Sequence, residues 1–240
     1  MQVLPAVFTR RKEKFQMTAT FKPSLNYDNF LQRGGIAPGT DMEAEARELF
    51  DAVARIGSPK CAYREFEAQA DDTGAIIGGR RFTSRVLGRN LSGITRVFAT
   101  ICTCGAEVDE ASLAEGDELR GWWLDVLKTQ LLMNARDGVV REIDRAFKPE
   151  TLAAMAPGSG DRDTWRIEEQ RPLFDLFDGE ERAIGVTLTP SFLMVPNKTT
   201  SGILYPSASG FKTCQVCHRE KCPNRTAPFD PAAWKQLHGD

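Results

Sequence analysis

Apolar and polar residues along this chain alternate in patterns that predict both helices and strands. Residues 41–56 place Glu, Ala and Leu at helical spacing, and Asp41 is positioned to cap the start of this helix. The strongest pattern covers 117–147, where apolar residues recur every three or four positions. A helix of ~30 residues spans ~45 Å, and we expect it to break between Asn134 and Gly138.

Shorter apolar segments predict strands. The segment ITRVFATICTC, residues 94–104, is β-branched and apolar, which is typical of a buried strand. Segments in which apolar and polar residues alternate, or which are bounded by Pro and Gly, predict further strands and two short helices. The strands are expected at 61–68, 75–77, 183–188, 192–195 and 201–205, and the helices at 84–91 and 168–177.

The order of these elements shows no regular βαβ alternation, which favours an α+β fold. We expect residues 1–16 to form a flexible extension and 17–240 to form one domain, with only a soft boundary near residue 150. No apolar run reaches 18 residues, and the N-terminus lacks the pattern of a signal peptide, so we expect a cytoplasmic protein with no membrane partner.

Charge and composition narrow the function classes. The 240 residues carry 31 basic and 33 acidic side chains, a net charge of −2, which gives no general reason to bind nucleic acid. The two histidines, His218 and His238, have no nucleophile at motif spacing, and no hydrolase arrangement is visible. In a reducing compartment, six cysteines indicate metal or redox chemistry more than disulfides.

Three of these cysteines lie in one segment, CQVCHREKCPNR, residues 214–225. Cys214, Cys217 and Cys222 have the spacing of ligands to an iron–sulfur cluster or zinc. The first five letters also match a haem attachment motif, and redox-active or ordinary thiols remain open as well. A full metal site needs a fourth ligand, for which His218 or the pair Cys102 and Cys104 are candidates.

The C-terminal half contains a characteristic order of motifs. PGSGD at 157–161 is followed by QRPLF at 170–174, and then by IGVTLTPSFLMVPNKTTSG at 184–202. This order resembles the activation domain of cobalamin-dependent methionine synthase in a short, stand-alone form. The match is specific over roughly 155–225 and weaker over 20–150.

The resemblance implies a bent, mostly antiparallel sheet flanked by helices, with the cysteine-rich segment 211–225 at its C-terminal end. It also implies a protein that binds S-adenosylmethionine and reactivates an oxidised corrinoid by reduction and remethylation. The cobalamin would belong to a partner methyltransferase or corrinoid protein, and a reductase would supply electrons. The ligand-binding residues implied are Pro157, Gly158, Ser159, Gly160, Asp161, Ser191, Met194, Lys198 and Ser201.

The chain departs from the family at three positions that matter for the ligand, one of which is Pro190, where the LTES segment of the family has a carboxylate. The family loop carries an arginine and a tyrosine, where this chain has Ala154 and Ser159. Alanine cannot replace the bidentate carboxylate recognition of arginine, so the sequence leaves S-adenosylmethionine binding open; Arg162 and Arg166 are nearby substitutes. The alternative function is a non-catalytic binding module with a structural zinc or redox-active cysteine cluster.

Overall fold

The structure is a computed structural model that describes residues 16–147, 151–222 and 225–238. The helices are α1 (Tyr27–Gly34), α2 (Asp41–Ile56), α3 (Arg85–Asn90), α4 (Glu107–Glu110), α5 (Glu118–Phe147), α6 (Gln170–Phe174) and α7 (Pro231–His238). The strands are β1 (Gln16–Thr20), β2 (Lys60–Asp71), β3 (Gly74–Ile77), β4 (Arg80–Phe82), β5 (Arg96–Thr103), β6 (Leu152–Met155), β7 (Thr187–Leu188), β8 (Met194–Val195) and β9 (Thr199–Pro206). Short 3-10 helices cover Ile167–Glu169, Asp175–Phe177, Glu180–Ile184 and Thr213–Val216.

The main sheet has the strand order β4-β3-β2-β5-β9-β6, and β1 also pairs with β2. Each of these strand pairs is antiparallel. Strands β7 and β8 form a separate antiparallel hairpin. The predicted α+β fold, with a mostly antiparallel sheet flanked by helices, is therefore confirmed.

Strand β5 lies in the middle of the sheet and is buried on both faces. On one face Phe98 and Cys102 pack with Leu132 and Val139 of α5. On the other face its remaining apolar side chains join the largest core cluster, which also contains residues of α3, α6, β6 and β9. Burial on both sides explains why the sequence of this strand is apolar without alternation.

Helix α5 is continuous from Glu118 to Phe147, so the expected break at 134–138 was wrong. The two residues that suggested the break make contacts with the N-terminal segment. The Oδ1 atom of Asn134 accepts a 3.0 Å hydrogen bond from the backbone N–H of Ser24. A Cβ at Gly138 would lie 2.5 Å from the ring of Phe21. Asn134 and Gly138 therefore allow α5 to pack against residues 21–24, and they do not interrupt the helix.

Two further expectations need correction. Thr40, rather than Asp41, caps α2 by accepting a hydrogen bond from the backbone N–H of Glu43. The strand expected at 183–188 is reduced to β7, because the 3-10 helix Glu180–Ile184 precedes it and Gly185 turns the chain at a φ of 75°. Apolar runs of this length do not distinguish a short helix from a strand by periodicity.

Strand β6 begins directly after the soft boundary expected near residue 150 and pairs with β9 in the main sheet. Residues 148–150 lie outside the described part of the chain, as do residues 1–15 of the expected extension; Gln16 begins β1. Among the described helices, none combines the length and apolar character needed to cross a membrane.

Candidate functional site

The glycine loop, residues 156–161, follows the edge strand β6 and folds into tight turns. Gly158 donates a 2.8 Å hydrogen bond to the carbonyl of Trp165, and Ser159 donates one of 3.1 Å to the carbonyl of Ala156. Gly158 and Gly160 have φ values of 78° and 88°, a region that favours glycine. Pro157 is buried, whereas residues 158–160 are exposed. The loop therefore presents its glycine backbone at the surface.

The end of the glycine loop is anchored to the core. The hydroxyl of Ser84 donates a 2.5 Å hydrogen bond to the carbonyl of Thr164. The indole N–H of Trp165, which is buried, donates a 2.6 Å bond to Glu169. The same carboxylate accepts a 2.7 Å bond from the backbone N–H of Thr83. These contacts tie the loop to the start of α3 and to the segment before α6.

The Ser-Gly motif of β9 lies beside the start of the glycine loop. A Cβ on Gly202 would lie 2.5 Å from the carbonyl oxygen of Met155, so only glycine allows the strands to come this close. Ser201 is buried, and its hydroxyl donates a hydrogen bond to the side-chain oxygen of Gln170. Two motifs that are about 40 residues apart in sequence therefore meet at one end of the sheet, together with the first residue of α6.

Lys198 lies in the turn between β8 and β9, and this turn is bound to α5. The Lys198 ammonium is 2.9 Å from the carboxylate of Asp125. Next to it, the side-chain oxygen of Asn197 accepts a 2.8 Å hydrogen bond from Lys128, an almost fully buried lysine that also pairs with Asp109. Lys198 therefore fixes the turn in place. Sequence reasoning missed Lys128.

Ser191 and Met194 lie in the β7–β8 hairpin. Ser191 is exposed at the tip, with its hydroxyl 3.1 Å from that of Thr189. Met194 is partly buried and packs against the largest core cluster. The residues on either side of it, Leu193 and Val195, are 66% and 51% exposed. Two apolar side chains on either side of Met194 are therefore exposed in this hairpin.

Asp161 connects the glycine loop with the cysteine-rich segment. Its carboxylate accepts hydrogen bonds of 3.1 and 3.2 Å from the backbone N–H of His218, and it lies 2.5 Å from Nδ1 of the same residue. Partial burial alone would raise the pKa of Asp161, but the interactions with His218 outweigh burial and lower it. The His218 ring packs against Phe229 and Trp234, with centroids 4.5 and 5.4 Å away.

A parallel β-bridge between Ala154 and Lys212 also places the start of the cysteine-rich segment along the edge of β6.

The guanidinium of Arg225 organises the cysteine-rich segment. Its Nη1 donates to the carbonyls of Cys214 and Ala227 at 3.0 and 3.1 Å. Its Nη2 donates to the carbonyls of Cys217 and Arg219. Backbone carbonyls buried without partners are costly, so this residue, the last letter of the quoted cysteine motif, stabilises the segment.

The cysteines do not converge on a metal site in the described residues. No group of three or more His, Cys, Asp or Glu side chains there is arranged to hold a metal ion. Cys102 lies in β5 and Cys104 directly after it, and both are buried in core clusters that contain residues of α5. Burial raises the pKa of Cys104 to about 11 and that of Cys102 further. The geometry therefore gives no support to an iron–sulfur cluster, zinc or haem, and these remain predictions from the sequence.

Cys214 has surroundings that favour a thiolate. Its Sγ accepts hydrogen bonds of 3.5 and 3.6 Å from the backbone N–H and the hydroxyl of Thr226. Partial burial acts to raise the pKa of Cys214, but these bonds and the nearby charge of Arg225 lower it below its ordinary value. Such a lowered pKa favours both metal ligation and redox chemistry, so it does not distinguish a metal site from redox-active thiols.

Comparison with known proteins supports the fold assignment. No protein-family model matches the sequence, and no curated protein matches it. Solved structures do match, and one of them is the crystal structure of the MetH reactivation domain bound to AdoHcy. This structure shares 17% sequence identity with the chain and has a TM-score of 0.57, covering 84% of this chain and 82% of that one. At this identity the similarity establishes a related fold.

Proposed function

We propose that this protein is an accessory protein that reactivates a corrinoid-dependent methyltransferase, such as a methionine synthase that lacks its own activation domain. The observation that carries the proposal is the meeting of the glycine loop and the Ser-Gly motif at one end of the sheet. They meet in a fold related, over 84% of the chain, to a reactivation domain that binds AdoHcy.

The proposed ligand is S-adenosylmethionine, bound at the exposed surface of the glycine loop. Glycines permit close approach of a ligand to the backbone N–H groups, and the anchoring of Trp165 and Thr164 holds the loop in one conformation. Ala154 is exposed at the position of the family arginine. The carboxylate of the ligand must therefore find another partner, and the exposed Arg162 and Arg166 are the candidates near the loop.

The proposed partner supplies the cobalamin, and a reductase supplies one electron for each reactivation. The electron would reduce the partner's Co(II) to Co(I), and this cobalt would take the methyl group of S-adenosylmethionine and release S-adenosylhomocysteine. In this scheme the chain docks and positions the reactants, whose own chemistry provides the reactivity. The β7–β8 hairpin, with its exposed Leu193 and Val195, is the surface proposed to face the corrinoid.

The test is a reactivation assay with a methionine synthase that has no activation domain and holds its cobalamin as inactive Co(II). We expect turnover to return when this protein, a reductase system and S-adenosylmethionine are all present, and to be absent when any of them is omitted. Ser159→Trp, which places a large side chain on the exposed loop, is expected to abolish the effect. Ser209→Trp, at another exposed serine, is the matched control.

Failure to restore turnover with any corrinoid partner would leave the alternative of a binding module built around its cysteines. Iron, zinc and acid-labile sulfide contents of anaerobically purified protein separate these possibilities. Iron with sulfide, lost in Cys217→Ser, would indicate a cluster that passes electrons. Zinc alone would indicate a structural zinc site at Cys214, Cys217 and Cys222.

A further inference from the structure

A cleft of about 450 Å³ lies between α6, the 3-10 helix Glu180–Ile184 and β7. Its volume falls in the range of pockets that bind small molecules, about 300–1,000 Å³. None of the ligand residues implied by the family resemblance lines it. The lining combines an apolar part, Phe174 and Leu188, with three arginines and three carboxylates: Arg80, Arg171, Arg182, Asp175, Asp178 and Glu181.

Two of the carboxylates are already paired within the protein. Asp175 lies 3.5 Å from Arg80. Asp178 lies 2.8 Å from Arg64, whose guanidinium also donates to the carbonyl of Leu176. These pairs stabilise the walls of the cleft and leave Arg171, Arg182 and Glu181 as the groups available to a ligand.

The two remaining arginines have donors to spare. Arg171 donates one long hydrogen bond, 3.4 Å, to the carbonyl of Thr189. The Nε atom of Arg182 is 3.9 Å from Glu181, at the limit of an ion pair, and the Arg182 side chain is 79% exposed. A guanidinium has five N–H donors in a fork that matches a carboxylate. Both arginines line the cleft and offer it donors of the kind that bind a carboxylate.

Glu181 supplies the negative charge among the groups of the cleft that are available to a ligand. The residue is only 9% exposed, and its Oε2 atom has no hydrogen-bond partner among the described residues. Among the described residues, its Oε1 atom has only the distant contact with Arg182. The Oε2 atom has almost no accessible surface, so a ligand in the cleft reaches the carboxylate at Oε1, and an ammonium group would donate its hydrogen bond there.

We propose that this cleft binds a free α-amino acid with an apolar side chain. The carboxylate of the amino acid accepts hydrogen bonds from Arg171 and Arg182, and its ammonium group donates to Glu181. The side chain lies against Phe174 and Leu188. The available groups, two arginines and one carboxylate, offer partners for both charges of a zwitterion, which favours it over a simple anion. The site is separate from the glycine loop, so the proposal does not depend on reactivation.

Isothermal titration calorimetry with L-norleucine tests this site directly. Two compounds each lack one half of the zwitterion: hexanoate has no ammonium group, and pentylamine has no carboxylate. We expect saturable binding of L-norleucine and binding of each half-ligand that is weaker by about tenfold or more, the loss of one charged contact of about 1.4 kcal/mol. Equal affinity for hexanoate and L-norleucine would overturn the proposal in favour of an anion site.

Variants locate the binding in the cleft. Arg171→Gln and Glu181→Gln are each expected to weaken L-norleucine binding by about tenfold. Arg141→Gln, which replaces an exposed arginine of α5, is the matched control and is expected to bind like the unmodified protein. Because Glu181 is buried, its variant is first checked for an unchanged melting temperature. Unchanged affinity in the exposed-site variant Arg171→Gln would by itself refute the proposed site.

Discussion

The contact between β6 and β9 depends on the absence of a side chain at Gly202. Its α-carbon faces the carbonyl of Met155 so closely that any Cβ would overlap it. The neighbouring Ser201 is buried on the opposite side and bonds to Gln170. The Ser-Gly motif therefore has a structural role at this end of the sheet, and it shapes the surface on which the glycine loop rests.

Gly202→Ala is expected to destabilise the protein by about 1–3 kcal/mol, the usual cost of overpacking. The obstacle is the backbone oxygen of Met155, which cannot rotate away as a side chain could. Gly121 provides a control with the opposite sign, because a Cβ there meets nothing within 4 Å and the residue lies inside α5. Gly121→Ala should stabilise by about 0.5–1 kcal/mol. Urea denaturation measures both, and an unchanged midpoint in Gly202→Ala would contradict this account.

Asp161→Ala is expected to lower stability in a pH-dependent manner. The pKa of Asp161 in the folded protein lies below its ordinary value of 3.8. Its stabilisation is therefore fully present above that value and is lost as the pH falls through the lowered folded-state pKa. We expect the variant to be less stable by about 1 kcal/mol near pH 5, a small value because the carboxylate is partly exposed.

Melting curves from about pH 5 down to about pH 2 measure this effect. The difference between Asp161→Ala and the unmodified protein should shrink towards zero at the acid end. Asp163→Ala, at an exposed aspartate two residues after Asp161, is the control and should show almost no difference at any pH. A difference that stays constant with pH would mean that Asp161 acts through packing rather than through its charge.

At the scale of elements, the cysteine-rich segment is held by Arg225 and by its contact with the glycine loop. Arg225→Gln removes a guanidinium that bonds to four carbonyls. We expect amide hydrogen exchange in residues 213–229 to become at least about tenfold faster, while exchange in α5 stays unchanged. Arg219→Gln, an exposed arginine of the same segment, is the control. Unchanged exchange in Arg225→Gln would show that another interaction folds the segment.

The elements that the sequence predicted well are those with long or strong patterns. The bounds of α2 were predicted at both ends, and β5 was recognised from its apolar run. The pattern of α5 gave its length, but Asn134 and Gly138 suggested a break, because their partners Ser24 and Phe21 are more than 100 residues away. Strand β6 was missed because four residues beside a loop carry too little periodicity to be recognised.

The candidate site was predictable only in part. The motifs identified the glycine loop and the Ser-Gly motif, but because β6 was missed, nothing indicated that the two meet where β6 pairs with β9. Nothing in the sequence indicated that Asp161 meets His218, 57 positions later, or that Lys128 binds Asn197. Such contacts depend on the topology of the sheet, which the spacing of apolar residues along the sequence does not specify.

At the scale of the whole molecule, the proposed partner surface is the β7–β8 hairpin. The turn that follows it is fixed to α5 through Lys198 and Asp125, so the hairpin is held at its base. Its residues Leu193 and Val195 are more than half exposed, so they contribute little to the stability of the folded protein. Exposed apolar residues on an anchored element are typical of a surface that binds another protein.

Leu193→Ser combined with Val195→Ser is expected to weaken binding to the corrinoid partner by about tenfold or more. The stability of the isolated protein should change by less than about 0.5 kcal/mol for each exposed residue. Ile76→Ser, at a 41% exposed isoleucine of β3, is the matched control and should leave both quantities unchanged.

Reactivation at saturating and at limiting concentrations of this protein separates weaker binding from slower chemistry. If the double variant binds the partner normally, the interface must lie elsewhere, and the next surface to test is the start of α5, where Trp122 is 53% exposed.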